Sequence, residues 1–107
     1  MVVRQFYKSL PKEIGPYVHG IKHNGILYIS GLTAYDTDTQ SKTLNKQNLE
    51  VLSQINRILL QEKCYKENFV KKTILMRYIS QISNIREHLF DFYCGHYPAR
   101  TFRSLQL

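Results

Sequence analysis

Tyr17-Val18-His19-Gly20-Ile21-Lys22-His23-Asn24-Gly25-Ile26-Leu27-Tyr28-Ile29-Ser30 is the stretch that decides the fold. Asn24-Gly25 tolerates positive φ at both positions, the requirement of a tight two-residue hairpin turn. The runs on either side, Tyr17–Lys22 and Ile26–Ser30, are rich in β-branched and aromatic residues, so two antiparallel strands are expected. Upstream, Val2–Tyr7 adds an earlier strand. Downstream, Thr33–Thr43 is polar and reads as a loop. A helix is expected from about Asn45, which can cap its free amides while Leu44 staples against Leu49. Leu49, Leu52, Ile55, Ile58 and Leu59 form one apolar stripe at helical spacing, fading near Cys64 without a terminating glycine. Phe69–Met76 then suits a half-buried strand. Ser80 is placed to cap a second helix with the stripe Ile82, Ile85, Leu89 and Phe92, stopped by a left-handed Gly95. Pro98 prevents its resumption. Ala99–Leu107 is read as a last strand, with Arg100, Phe102, Ser104 and Gln106 on one face and Thr101, Arg103, Leu105 and Leu107 on the other.

The order β-β-β-α-β-α-β describes an α/β (α+β) chain in which two amphipathic helices cover one face of a single mixed sheet. The opposite face would be an exposed apolar patch unless copies of the chain cover it, so a homo-oligomer is expected. With 107 residues, one domain spanning 1–107 fits, and a core this small benefits from oligomerisation. Hydrophobic residues make up 43%, which argues against disorder. Eight tyrosines and no tryptophan suit wet edges and interfaces.

No apolar run approaches the roughly 20 residues that span a bilayer. The start, MVVRQFYKSLPKE, lacks a signal-peptide core, so a cytoplasmic protein is expected. Cys64 and Cys94 lie outside any CxxC or metal-like spacing and are read as reduced thiols. The net charge is +7 and the pI about 9.5, compatible with anionic partners. No nucleic-acid motif accompanies it, so the basic run Lys63, Lys66, Lys71, Lys72 and Arg77 is read as solvated surface. His19, His23, His88 and His96 match no zinc signature and are read as surface residues. Cys94 near His96 lacks a third orienting group, so it is assigned to helix-end packing rather than nucleophilic work. No glycine-rich phosphate loop is present.

Five blocks now line up with one family. Gly15-Pro16-Tyr17-Val18-His19-Gly20 resembles the GPY segment that opens RidA/YjgF proteins. His23–Gly31 is similar to their NGxxYxSGQ hairpin. Asn48-Leu49 resembles the start of their first helix, Phe69–Thr73 their VxKTTVF strand, and Tyr97-Pro98-Ala99-Arg100-Thr101 their PAR(S/T) motif. The likeness runs from about Glu13 to Thr101 with almost no gaps.

The resemblance implies a chorismate-mutase-like fold of the bacillus type and a homotrimer with three clefts between subunits. It also implies hydrolysis of 2-enamino and 2-imino acids, such as 2-aminoacrylate and 2-iminobutanoate, to 2-keto acids and ammonia without a cofactor. An imine carbon is already electrophilic, so positioning and charge control matter most. By resemblance, Arg100 is the catalytic carboxylate anchor, using its planar, permanently charged fork. By the same resemblance Tyr17, Ser30, Gly31 and Phe102 join Arg100 in binding the substrate: backbone groups at Gly31 and Phe102 hold its other polar atoms, Ser30 lies beside Gly31 in the matched hairpin, and Tyr17 walls the pocket.

The sequence departs from the family at Leu32, where a glutamine is usual, and at Arg86, which aligns with an asparagine. It also stops at Leu107, where relatives usually continue into a strand bearing a glutamate thought to place the attacking water. An open sheet edge is therefore expected. Two further readings remain: a catalytically silent ligand-binding or regulatory trimer, and an RNA-directed protein of the endoribonuclease or translation-inhibitor type. The charge is compatible with the last, although nucleic acid is the less favoured partner.

Overall fold

The computed structural model describes residues 1–77 and 79–104; the expected strand positions Leu105, Gln106 and Leu107 lie outside the described residues. The elements are β1 (Val3–Gln5), β2 (Gly20–His23), β3 (Ile26–Ile29), α1 (Leu44–Glu62), β4 (Lys71–Met76), α2 (Ile82–Tyr93) and β5 (Ala99–Ser104), with short 3₁₀ turns at Lys66–Asn68 and Ile79–Gln81. The β-β-β-α-β-α-β order is as expected.

The hairpin forms around Asn24 (φ 51°) and Gly25 (φ 76°), both in the left-handed region that a primed turn requires. His23 pairs with Ile26 and Gly20 with Ile29. β1 adds on the other edge of β2, Val3 opposite Lys22. It is shorter than expected because Tyr7 turns inward and is buried.

The single mixed sheet resolves into two hydrogen-bonded groups. One is the antiparallel meander β1-β2-β3; the other is the parallel pair β4-β5. The helix α2 makes the crossover that a parallel pair needs. Among the described strands, none pairs β3 with β4. The helix α1 joins the two groups through its side chains. Its Leu52 packs with Met76, Ile85, Leu89, Phe92 and Tyr93. Two turns on, Ile58 packs with Tyr7 and Leu10, against Leu27, Ile29 and Leu32.

Several local expectations are corrected. Thr43, not Asn45, caps α1: its Oγ1 accepts from the Lys46 amide at 3.3 Å. Lys63 closes that helix at φ 56°, and the Cys64 amide returns to the Leu59 carbonyl at 2.9 Å, so a non-glycine residue supplies the left-handed stop. Ser80 falls in a 3₁₀ turn ahead of α2 instead of capping it. Cys94 (φ 49°) takes the left-handed position expected at Gly95, which follows at φ 91°. Leu49 is exposed, while Gln54, 2% exposed, is buried in its place. Burial is tolerable because Gln54 Nε2 donates to the Thr33 carbonyl at 3.0 Å.

His19 is not the surface residue expected from the sequence: it is 7% exposed. Its Nδ1 accepts from the Tyr7 amide at 2.8 Å, which leaves the ring proton on Nε2, 3.1 Å from the Pro11 carbonyl. The imidazole thus pins the segment between β1 and β2. Replacing it with leucine strands the buried Tyr7 amide and should cost about 1.5–3 kcal/mol, read as a lower urea midpoint at unchanged slope. An unchanged midpoint would show that this contact is dispensable.

Candidate functional site

The parallel register places Lys72 directly opposite Arg100. Two residues along β5, Phe102 points to the same side as Arg100. The guanidinium stacks on the Phe102 ring, 4.2 Å from its centroid, and the ring itself packs against the core cluster. Stacking holds a guanidinium flat while leaving its outer N–H groups free to donate.

On α2, Arg86, Phe90 and Tyr93 recur at helical spacing and face the same strands. With Lys72, Arg100 and Tyr97 they line a cavity of about 110 Å³. Among the described residues lining it, none is acidic. Lys72 Nζ lies over the Tyr93 ring, 4.1 Å from the centroid. Burial, followed by the Arg100 charge, pushes the Lys72 ammonium down from 10.5 to about 8. Burial pushes the Tyr93 phenol up to about 12, so it stays neutral and a donor. The chemistry on offer is that of an anion pocket: fixed cations, aromatic walls and no competing carboxylate.

Reading the basic run as solvated surface therefore needs correcting at Lys72, which is half-buried. Lys66 also lies over a ring, that of Phe92 at 4.1 Å, and Lys71 donates to Thr101 Oγ1. Strand alternation alone could have flagged Lys72, because it shares the Arg100 side of the β4-β5 pair.

The remaining expected site residues lie on the other strand group. Ser30 Oγ donates to the Val18 carbonyl at 2.6 Å, and its amide donates to His19 at 3.0 Å. Ser30 therefore fixes the exit of β3. Tyr17 is 46% exposed. Gly31 opens onto free space: a Cβ built there meets nothing within 4 Å. None of the three lines the Arg100 cavity. Of the expected site residues, Arg100 and Phe102 are thus in contact, while Tyr17, Ser30 and Gly31 lie outside the cavity beside them.

Among the described residues no group of three or more His, Cys, Asp or Glu side chains could hold a metal. Cys64 and Cys94 are free and exposed. No helix among the described residues is long and apolar enough to cross a membrane.

An α/β domain with a chorismate-mutase-like fold, bearing an arginine at the start of its last described strand, is what these elements define. The family model for endoribonuclease L-PSP matches residues 7–105, and the chain belongs to that family, the RidA/YjgF proteins. A RutC family protein of Saccharolobus solfataricus is 28% identical over 98 residues, covering 89% of this chain and 78% of that protein. The chloroplastic Reactive Intermediate Deaminase A of Arabidopsis thaliana is 26% identical over 97 residues, covering 88% of this chain and 52% of that one. Among solved structures, a conserved Rid family protein of unknown function from Yersinia pestis superimposes with a TM-score of 0.85 at 34% identity, over 98% of this chain and 86% of its own.

Proposed function

We propose that this chain hydrolyses 2-imino acids, and the enamines that tautomerise to them, to 2-keto acids and ammonia, as a cytoplasmic homotrimer. The observation that carries the reading is the Arg100 guanidinium, held over the Phe102 ring and lining a cavity with no acidic lining residue among those described. A carboxylate set against that fork gains two parallel charge-assisted hydrogen bonds. Water then adds to the imine carbon, the carbon–nitrogen bond breaks, and ammonia leaves with the nitrogen's electron pair and the protons it gathers. The family membership and the name of the Arabidopsis relative support this class of reaction.

Tyr17, Ser30 and Gly31 do not line the Arg100 cavity within one copy, which favours a site completed between copies. In a closed ring each cleft would take Arg100 from one copy and the Gly31 edge from the next. Mixing two inactive variants tests this. Gly31→Leu has room in the isolated chain and would block the facing cleft; Arg100→Ala removes the anchor. Refolded together in equal amounts, they should recover about a quarter of native ammonia release, the share of clefts with both halves native in a closed ring. Full activity of Gly31→Leu alone, or no recovery on mixing, would contradict a shared site.

A further inference from the structure

Arg100 has a partner that the proposed reaction does not use. Arg86, on α2, lines the same cavity, as does Lys72. A substrate with one carboxylate would satisfy one guanidinium and leave a second guanidinium and an ammonium around a space of about 110 Å³ with no acidic neighbour among the described lining residues. The cavity thus offers a ligand more positive charge than one carboxylate would match. A guanidinium fork takes one carboxylate, so two forks around one small space fit two carboxylates. The volume is well below the roughly 300 Å³ at which drug-sized sites begin, so the ligand is a small acid.

We propose that Arg86 is a second carboxylate anchor, and that the preferred substrates are dicarboxylic 2-imino acids, the imines of four- or five-carbon amino dicarboxylates. This rests on the deaminase reading and narrows it. Monocarboxylic 2-imino acids bind through Arg100 alone; dicarboxylic ones engage both guanidiniums, with Lys72 adding charge to the same cavity.

Lys72 is depressed to about 8 by burial and by Arg100, as expected for a cation lacking a counter-ion. The charged and titratable side chains lining the cavity with it are Arg86, Arg100, Tyr97 and Tyr93, the last pushed up to about 12 by burial. A bound dianion favours the protonated amine. Affinity should therefore be full below about pH 8 and fall as pH rises through it, when Lys72 loses its charge. Lys72→Arg should bind as well at pH 7 and show no such fall, because a guanidinium stays charged. A native affinity flat from pH 7 to pH 9 would remove Lys72 from the site.

The deciding experiment is calorimetric titration of the assembled protein with 2-oxoglutarate, 2-oxobutanoate and inorganic phosphate at physiological salt. Native protein should bind 2-oxoglutarate at least tenfold more tightly than 2-oxobutanoate. Arg86→Asn, at an exposed position, should bring the two to parity by weakening 2-oxoglutarate far more than 2-oxobutanoate. If native protein binds both keto acids equally, and Arg100→Ala loses both, Arg86 is no anchor while the deaminase reading stands. If phosphate binds as tightly as 2-oxoglutarate, the site selects dianions in general and the dicarboxylate class is overturned. If neither keto acid binds and Arg100→Ala changes nothing, the carboxylate pocket itself fails, and both readings with it.

Discussion

Replacing Arg100 with alanine should lower kcat/KM for 2-imino acid hydrolysis by roughly two to three orders of magnitude, equivalent to about 3–4 kcal/mol. Two charge-assisted hydrogen bonds to the substrate carboxylate are lost, and with them the geometry that presents the imine carbon to water. Stability should change little, because the guanidinium contributes one stacking contact, on Phe102, and its strand is held by backbone pairing with β4. Arg100→Lys separates charge from shape. A lysine keeps the charge but not the planar fork, so it should recover only part of the loss. Full recovery by lysine would mean that charge alone is read. A melting temperature that collapsed with the alanine variant would assign Arg100 to the fold instead.

Ile58→Ala should be the most damaging single truncation of the fold, at about 3–4 kcal/mol. Ile58 is 0% exposed and is the α1 residue buried with Tyr7 and Leu10 beneath the hairpin. The two strand groups share no ladder among the described residues, so their attachment relies on α1 carrying Ile58 to one cluster and Leu52 to the other. A hole at Ile58 loosens that joint as well as losing transfer energy. For a domain whose whole stability is of order 5–15 kcal/mol, the loss is large. Urea unfolding checks it. Amide exchange adds a sharper reading, with protection expected to fall first in β1-β2-β3 and later in β4-β5. Equal loss in both groups would argue against the joint.

Much of this was legible in the residues. Asn24-Gly25 specified the hairpin because few other pairs tolerate its φ values. The Ile85, Leu89 and Phe92 stripe specified the face α2 buries, and all three are in the core. Helix ends were harder. Thr43 and Asn45 are both competent caps, and only the backbone geometry around Thr43 decides between them. Gln54 interrupts an apolar stripe, and nothing in a periodicity announces that the Thr33 carbonyl will meet it. His19 looked like a surface residue for the same reason, since its partners Tyr7 and Pro11 lie 12 and 8 residues back. At the site, the PAR motif located Arg100. Lys72 was passed over in a run of lysines, although its alternation with Ile74 and Met76 puts it on the covered side of β4, beneath Tyr93 of α2. The separation of Tyr17, Ser30 and Gly31 from the Arg100 cavity was unreadable, since no pattern in the sequence states which residues come to line one cavity.

The most direct test of the central claim is ammonia release from freshly generated 2-aminoacrylate and 2-iminobutanoate in the presence of the folded, assembled protein. The account predicts hydrolysis well above the buffer rate, with the matching 2-keto acid formed in equal amount. A rate no faster than buffer, from protein shown to be folded and oligomeric, would contradict the deaminase assignment and leave a ligand-binding assembly built on the same arginine.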